Sequence, residues 1–198
     1  MCVICISEQG VKQPSRDLLW KMWVKNPHGA GYMFSRSNYV YIRKGFMTFN
    51  EYYDAIRAEH FTKDDTVIYH LRIATQGGIN PEMTHPFMLT DDIRKTKVLR
   101  TRTNIGICHN GIISMTSAHD PEYSDTALFI AQYLSKIMDK PKDLKNKDLQ
   151  AKIQRMIGSK MAILDYAGNV TLIGDFIEDM TGLVFSNRFF IPYSYFAA

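Results

Sequence analysis

Cysteine is scarce in this chain, with three residues at positions 2, 5 and 108 out of 198. An odd number of thiols without a secretory leader excludes a disulfide framework, so folding has to come from an ordinary core. Long apolar runs are missing as well. The only apolar stretch near the N-terminus, Cys2 to Ile6, lacks the basic flank and the length of a leader, and no run approaches the ~20 residues of a membrane span. The expectation is a cytoplasmic protein with no membrane partner. Nor is there a marked excess of either charge: 24 basic residues face 20 acidic ones, for a net +4. Charge of that size does not argue for nucleic acid. The most basic stretches, Arg94-Lys95-Thr96-Lys97 and Arg100-Thr101-Arg102, read as a solvated edge or loop, with docking to an acidic partner surface as the next alternative. Repeats, low-complexity tracts and interdomain linkers are absent too, so residues 1–198 read as one domain. Its 45% apolar and 12% aromatic residues can fill a sizeable core.

What is present is helical and strand periodicity in alternating blocks. Apolar residues at 3.6-residue spacing predict helices from about Ser15 to Val24, from the capping sequence Thr48-Phe49-Asn50-Glu51 onward, from Ser124 to about Met138, and from Asp148 to Ile157. The first should stop before Asn26-Pro27, because the residue preceding proline disfavours helical dihedrals. Strands are expected at Cys2–Ser7, Ala30–Ser35, Tyr39–Lys44, Thr66–Ala74, Asn104–Cys108, Ile112–Ser114, Met161–Tyr166, Val170–Ile173 and Leu183–Asn187. Several are apolar on both parities and therefore covered on both faces. Ala167-Gly168-Asn169 is a turn signal that joins two of them into a hairpin. Strands joined by hairpins, with helices in separate blocks, point to an α+β fold of two stacked antiparallel sheets with helices outside.

Five short elements carry candidate chemistry, and each has a plain structural alternative. Removal of Met1 would leave Cys2 with a thiol and a primary α-amine on one residue, a nucleophile with its own base, since an α-amine titrates near pH 7.7–8.0. The alternative is a small buried hydrophobe on an apolar strand. Arg72 shares a strand face with His70 and Ala74, so its half-buried guanidinium needs a carboxylate from a ligand or from the protein. Asn110-Gly111 offers an amide and a backbone N–H at a strand end, and is equally the commonest hairpin turn. Ser124-Asp125 is either a helix cap with a first-turn carboxylate or a carboxylate presented to a ligand. His85, in Thr84-His85-Pro86, reads as a loop residue beside such a site.

Taken in order, the segments MCVICIS, NPHGAGYMF, HLRIATQGG, THPF, ICHNGII and SDTALFI resemble the glutaminase domains of class II glutamine amidotransferases. The resemblance spans roughly residues 1 to 134, with a weaker echo at Ser186-Asn187. It implies the four-layer αββα sandwich of N-terminal-nucleophile hydrolases. It also implies Cys2 as nucleophile, Asn110 and Gly111 as the oxyanion hole, and a substrate site for L-glutamine at Arg72, Thr75, His85 and Asp125. Arg72 would grip the α-carboxylate with its planar fork, Asp125 would hold the α-ammonium, and Gln76-Gly77-Gly78 would begin a loop over the bound amino acid. Asn26, Gly29 and Gly31 resemble the family turn near the first helix, where small residues let backbone approach the nucleophile strand. No metal or organic cofactor is implied. With no synthetase, phosphoribosyltransferase or isomerase segment following, a separate acceptor-activating protein is expected as partner. In one respect the chain departs from the family: Val3 stands where glycine commonly follows the nucleophile.

Three other readings compete. Cys2-Val3-Ile4-Cys5 with Cys108-His109 could supply soft ligands to zinc, although residues three apart on a strand point to opposite faces. A γ-glutamyl amide or peptide hydrolase without an acceptor would use the same residues. A non-catalytic descendant of the fold would keep the strands and helices for binding or assembly.

Overall fold

The computed structural model describes residues 1–74, 78–115 and 122–190. It contains two antiparallel sheets. The larger has seven strands in the order β10-β11-β1-β4-β2-β3-β6, and the smaller has four in the order β5-β7-β8-β9. In the larger sheet these are β1 (Val3–Ser7), β2 (Ala30–Arg36), β3 (Tyr39–Phe46), β4 (Val67–Leu71), β6 (Arg100–Thr103), β10 (Ile177–Glu178) and β11 (Val184–Phe185); the smaller comprises β5 (Phe87–Met88), β7 (Ile105–Asn110), β8 (Lys160–Asp165) and β9 (Val170–Ile173).

Strand parity divides the core into three slabs. Along β1 and β4, Ile4, Ile6 and Ile68 point inward and meet Cys108, Ala162 and Leu164 of the smaller sheet. The opposite parity of the same strands, Val3, Cys5, Val67, Tyr69 and Leu71, packs under helices α1 (Arg16–Lys25) and α2 (Phe49–Ala58) through Leu19, Met22, Trp23, Phe49 and Tyr52. On the far side, Ile105, Ile107, Met161 and Ile163 are covered by α3 (Asp125–Phe129) and α5 (Lys147–Ile157), with Ala127, Phe129, Ile153 and Ile157 at the contact. Strands buried on both faces are the physical reason for their uniform apolarity.

The helices begin and end where their caps dictate. Ser15 Oγ accepts from Leu18 N and Thr48 Oγ1 accepts from Glu51 N, each occupying an orphan first-turn donor. Helix α1 stops at Lys25, before Asn26-Pro27, and α5 ends on left-handed Gly158. The helix expected from Ser124 is interrupted: α3 gives way to a π-helical stretch over Ile130–Leu134 and a last turn, α4 (Ser135–Ile137). Its predicted stripe of Ala127, Ile130, Ala131 and Leu134 is buried all the same.

Three short strands, β5, β6 and β10, have no counterpart in the sequence expectations, and Ile112–Ser114 is not a strand. Two-residue strands carry no alternation to read. The four residues of β6, Arg-Thr-Arg-Thr, have no apolar parity because they form the sheet edge, which is where the basic run was expected. Ile112 is 53% exposed while Ile113 is buried, and both belong to the turn that leaves β7. No helix of the described residues is long and apolar enough to cross a membrane.

Candidate active site

One end of the sandwich gathers the start of β1, the end of β4, the end of β7 and the first turn of α3. Pairing of Val3 with Leu71 brings Cys2 level with the residues that follow β4. Its Sγ accepts from Ile73 N at 3.4 Å and donates to Ile73 O at 3.5 Å. Its carbonyl accepts from Asn187 Nδ2 at 2.7 Å. The thiol faces a cavity of about 20 Å³ lined by Cys2, Arg72, Ile73, His85, His109, Gly111, Ser124, Asp125 and Thr126. That volume is roughly one water. Larger concavities among the described residues, of about 610 Å³ between α5 and the β8–β9 hairpin, about 430 Å³ and about 270 Å³, are lined by no thiol or histidine. The small cavity is therefore the better candidate on chemistry.

Burial raises the Cys2 thiol above its ordinary value, while the Ile73 hydrogen bond and the Arg72 charge pull it back down. A thiol held protonated in this way needs a base beside it before it can attack. Val3 itself is fully buried in the slab under α1 and α2, so an ordinary strand residue follows the thiol.

Arg72 is buried, and burial lowers its pKa. Its Nη1 donates to Gly78 O at 2.7 Å, while its backbone pairs with the turn after α1: Arg72 N to Gly29 O at 2.8 Å, and His28 N to Arg72 O at 3.0 Å. Asp125 is buried as well. Its Oδ2 accepts from Ile113 N and its Oδ1 from Thr126 N, both at 2.7 Å, so the carboxylate ties the turn after β7 to the start of α3. Ser124 caps the same helix through Ala127 N at 3.2 Å. Helix cap and cavity wall are thus one structure here, and the structural alternative holds for Ser124, the cap.

Three buried histidines lie at this end, of which His85 and His109 line the cavity. The rings of His70 and His85 stack with centroids 4.2 Å apart, and Phe87 meets His85 edge-on at 4.7 Å. His70 Nε2 donates to His109 O at 3.0 Å; His109 reaches Thr126 Oγ1 at 2.9 Å and Ser159 Oγ at 2.7 Å. Burial pushes His70 down to about 3 and His109 to about 4, and holds His85 well below its usual range. Both ring nitrogens of His85 lack a hydrogen-bond partner among the described residues. The sequence expectation placed His85 in a loop beside the site, and it lines the cavity. It is buried, and Lys44 braces the same loop: Nζ donates to Glu82 O at 2.7 Å and Thr96 O at 2.6 Å.

Gly31 also serves this loop. A Cβ there would stand 2.2 Å from His85 O and 2.6 Å from Lys44 Cβ. Its close approach is therefore to the His85 loop and to β4, where Gly31 pairs with His70, and not to the nucleophile strand as expected. Asn26 caps α1 through Met22 O at 3.0 Å.

Asn110 ends β7 with its side chain toward the larger sheet, where Nδ2 donates to Ser186 Oγ at 2.9 Å. Gly111 follows at φ 154°, and a Cβ there would meet Ser159 Cβ at 2.3 Å. The structure therefore brings Cys2, Arg72, His85, Gly111 and Asp125 around one cavity. Asn110, the neighbour of Gly111 in the chain, is buried and does not line that cavity, and Thr75 lies outside the described residues. The zinc alternative finds no geometry: Cys5 lies under α1 and α2 while Cys108 lies between the sheets. Among the described residues no group of three or more His, Cys, Asp or Glu could hold a metal ion. Sequence reasoning missed His109, Thr126, Ser159 and Lys44 as supports of the cavity. Only the pairing of a buried strand with a lysine, Lys44 in β3, offered a signal. Compared with family models and with curated protein sequences, the chain matches neither.

Proposed function

We propose that this chain is a class II glutamine amidotransferase (glutaminase) domain with the four-layer αββα sandwich of N-terminal-nucleophile hydrolases. One observation carries the reading. Segments 70 to 123 residues away from Cys2 in the chain bring a cation, a carboxylate and an Asn-Gly strand end to the one partly exposed thiol, in the order required by the resemblance. The stacked sheets with helices on both outer faces support the same reading.

In the proposed mechanism the Cys2 thiol gives its proton to its own α-amine, and the thiolate attacks the side-chain amide carbon of L-glutamine. Asn110 and the Gly111 N–H donate to the developing oxyanion. Collapse of the tetrahedral intermediate returns the proton to the leaving nitrogen and releases ammonia. Water then hydrolyses the γ-glutamyl thioester to glutamate and the free thiol. Arg72 pairs with the α-carboxylate, Asp125 with the α-ammonium, Thr75 adds a contact, and His85 walls the site. The Arg72–Gly78 hydrogen bond occupies part of the guanidinium fork, so a bound carboxylate has to compete with Gly78 O. No cofactor enters any step. Ammonia passes to an acceptor handled by a separate synthetase-type protein, because ammonia released into neutral water is mostly protonated and a poor nucleophile.

The base exists only once Met1 is removed, and Met1 is 68% exposed, so no burial opposes its removal. Intact-mass measurement joined to a glutaminase assay is the test. Activity is expected only in the population beginning at Cys2; full activity from chains retaining Met1 would sink the mechanism. Turnover that proceeds at full rate with no acceptor protein would make the chain a γ-glutamyl amide hydrolase instead.

A further inference from the structure

Ser186 follows β11 and is fully buried. Its backbone N–H donates to Ile4 O at 3.0 Å, and its carbonyl accepts from Lys160 Nζ at 2.7 Å. Its hydroxyl oxygen accepts twice, from Ile4 N and from Asn110 Nδ2, both at 2.9 Å. One serine thus fastens the strand that carries Cys2 to the amide of Asn110. The next residue, Asn187, holds the Cys2 carbonyl.

The hydrogen inventory of this contact is incomplete. A serine hydroxyl has one hydrogen and two lone pairs. Both lone pairs are used by the two accepted bonds, and its hydrogen has no acceptor among the described residues. Asn110 Oδ1 is buried and has no partner among them either. A half-turn of the amide about its last bond pairs these two leftovers. Ser186 Oγ–H then donates to Oδ1, Ile4 N still donates to Ser186, and the amide NH₂ moves to the side that Oδ1 occupied. The number of hydrogen bonds between the two side chains is one in either orientation. In the first, however, one N–H is spent on Ser186, whereas in the second both N–H groups are free for an anion.

We propose that Ser186 is a positioning residue that holds the Asn110 amide in two alternative orientations, the turned one being the donor to the oxyanion. This rests on the reading of Asn110 as part of an oxyanion hole. With no anion present the turned amide leaves two buried donors without acceptors, a cost that the oxyanion removes as it forms. The serine therefore acts on the transition state, through Asn110, and not on glutamine in the ground state.

The test is a double-mutant cycle in the processed enzyme, with Ser186→Ala, Asn110→Ala and the pair, measuring kcat, KM and thermal midpoint. Ser186→Ala should lower kcat about tenfold with KM unchanged, the loss of one hydrogen bond in the transition state. In the Asn110→Ala background the same change should have no further effect on kcat. An equal kcat loss in both backgrounds, or a lowered midpoint with unchanged kcat, would assign Ser186 to structure alone and overturn the proposal. Should Ser186→Ala fail to fold, Ser186→Cys keeps nearly the same volume with a much weaker hydrogen bond, and the same cycle applies. Asn110→Ala with wild-type kcat would defeat the oxyanion-hole reading itself, and the proposal with it, a result distinct from additivity.

Discussion

Reactivity in this protein is sorted residue by residue among three thiols. Cys5 and Cys108 are fully buried in separate slabs, and burial drives both thiols well above their ordinary values. Cys2 is also raised, but it alone has an N–H and a guanidinium pulling the other way and a cavity in front of it. A glutamine-mimicking electrophile is expected to label Cys2 and leave Cys5 and Cys108 untouched, as peptide mapping would reveal. Labelling chiefly at Cys108, or none at saturating reagent, would shift the balance to a non-catalytic member of the fold. The two charged residues of the site should behave differently from each other. Replacing Arg72 by Lys keeps the charge but loses the planar fork, and should raise KM more than tenfold with little change in kcat. Replacing Asp125 by Ala removes the acceptor for Ile113 N and Thr126 N as well as the proposed partner of the α-ammonium. Its expected signature is a raised KM together with about 2 kcal/mol of lost stability, since a charged acceptor for two buried donors disappears. Steady-state kinetics beside urea melts separates the two; an Asp125→Ala protein as stable as wild type would show that the two backbone donors find other partners.

At the scale of elements, the parts written in long apolar periods were the legible ones. Helices α1, α2 and α5 begin within a residue of where Ser15, the Thr48 box and Asp148 place them, and the β8–β9 hairpin turns at Ala167-Gly168-Asn169 as expected. The candidate site was legible for a different reason: its residues lie near the end of a strand or the start of a helix, where punctuation such as Asn-Gly or Ser-Asp is visible. That same punctuation has a structural use, so spacing alone could not separate cap from ligand, and the structure shows Ser124 capping α3 while the Asp125 carboxylate binds Ile113 N and Thr126 N. Contacts between distant segments left no local trace. The His85 loop is braced by Lys44 and abutted by Gly31, which are far from it in sequence, and the hydrogen-bonded group around Ser186 joins three strands. Gly31 gives the sharpest test at this scale. Its φ is unexceptional, so an alanine would be harmless on conformational grounds, yet the added methyl meets the carbonyl of His85 and the carbonyl of Arg43 at 2.7 Å. Backbone cannot yield as a side-chain tip does, and Gly31→Ala is expected to cost about 3 kcal/mol and to displace the His85 loop. A urea melt within 1 kcal/mol of wild type, to the same order of precision, would mean that the loop moves freely.

For the molecule as a whole, the three stacked and hydrogen-bonded histidines set a limit in acid. His70, His85 and His109 are buried neutral, with His70 near 3 and His109 near 4 against an unfolded value of about 6.5. Protons therefore bind the unfolded chain first. Above pH 6.5 neither state takes them and the full stability is present; as pH falls the unfolded state gains protons that the folded state refuses, and stability drops until the folded values are reached. At pH 5 His70 and His109 each cost about 2 kcal/mol, about 4 kcal/mol together, and His85 adds to the loss in the same direction, a large share of the 5–15 kcal/mol typical of a domain. Carboxylates contribute little in that window, since ordinary Asp and Glu titrate near 3.9 and 4.3. Urea midpoints should thus fall steeply between pH 7 and pH 5. Replacing His85 by Phe removes one of the three titrating groups and two partnerless ring nitrogens while keeping a flat ring against His70 and Phe87. That variant is expected to be more stable than wild type at pH 7, by about 1 kcal/mol, and to lose less stability on acidification. Its glutaminase kcat/KM should fall, because His85 lines the cavity in front of Cys2. A wild-type midpoint that stays flat from pH 7 to pH 5 would mean that the histidine cluster opens or hydrates without unfolding the sandwich.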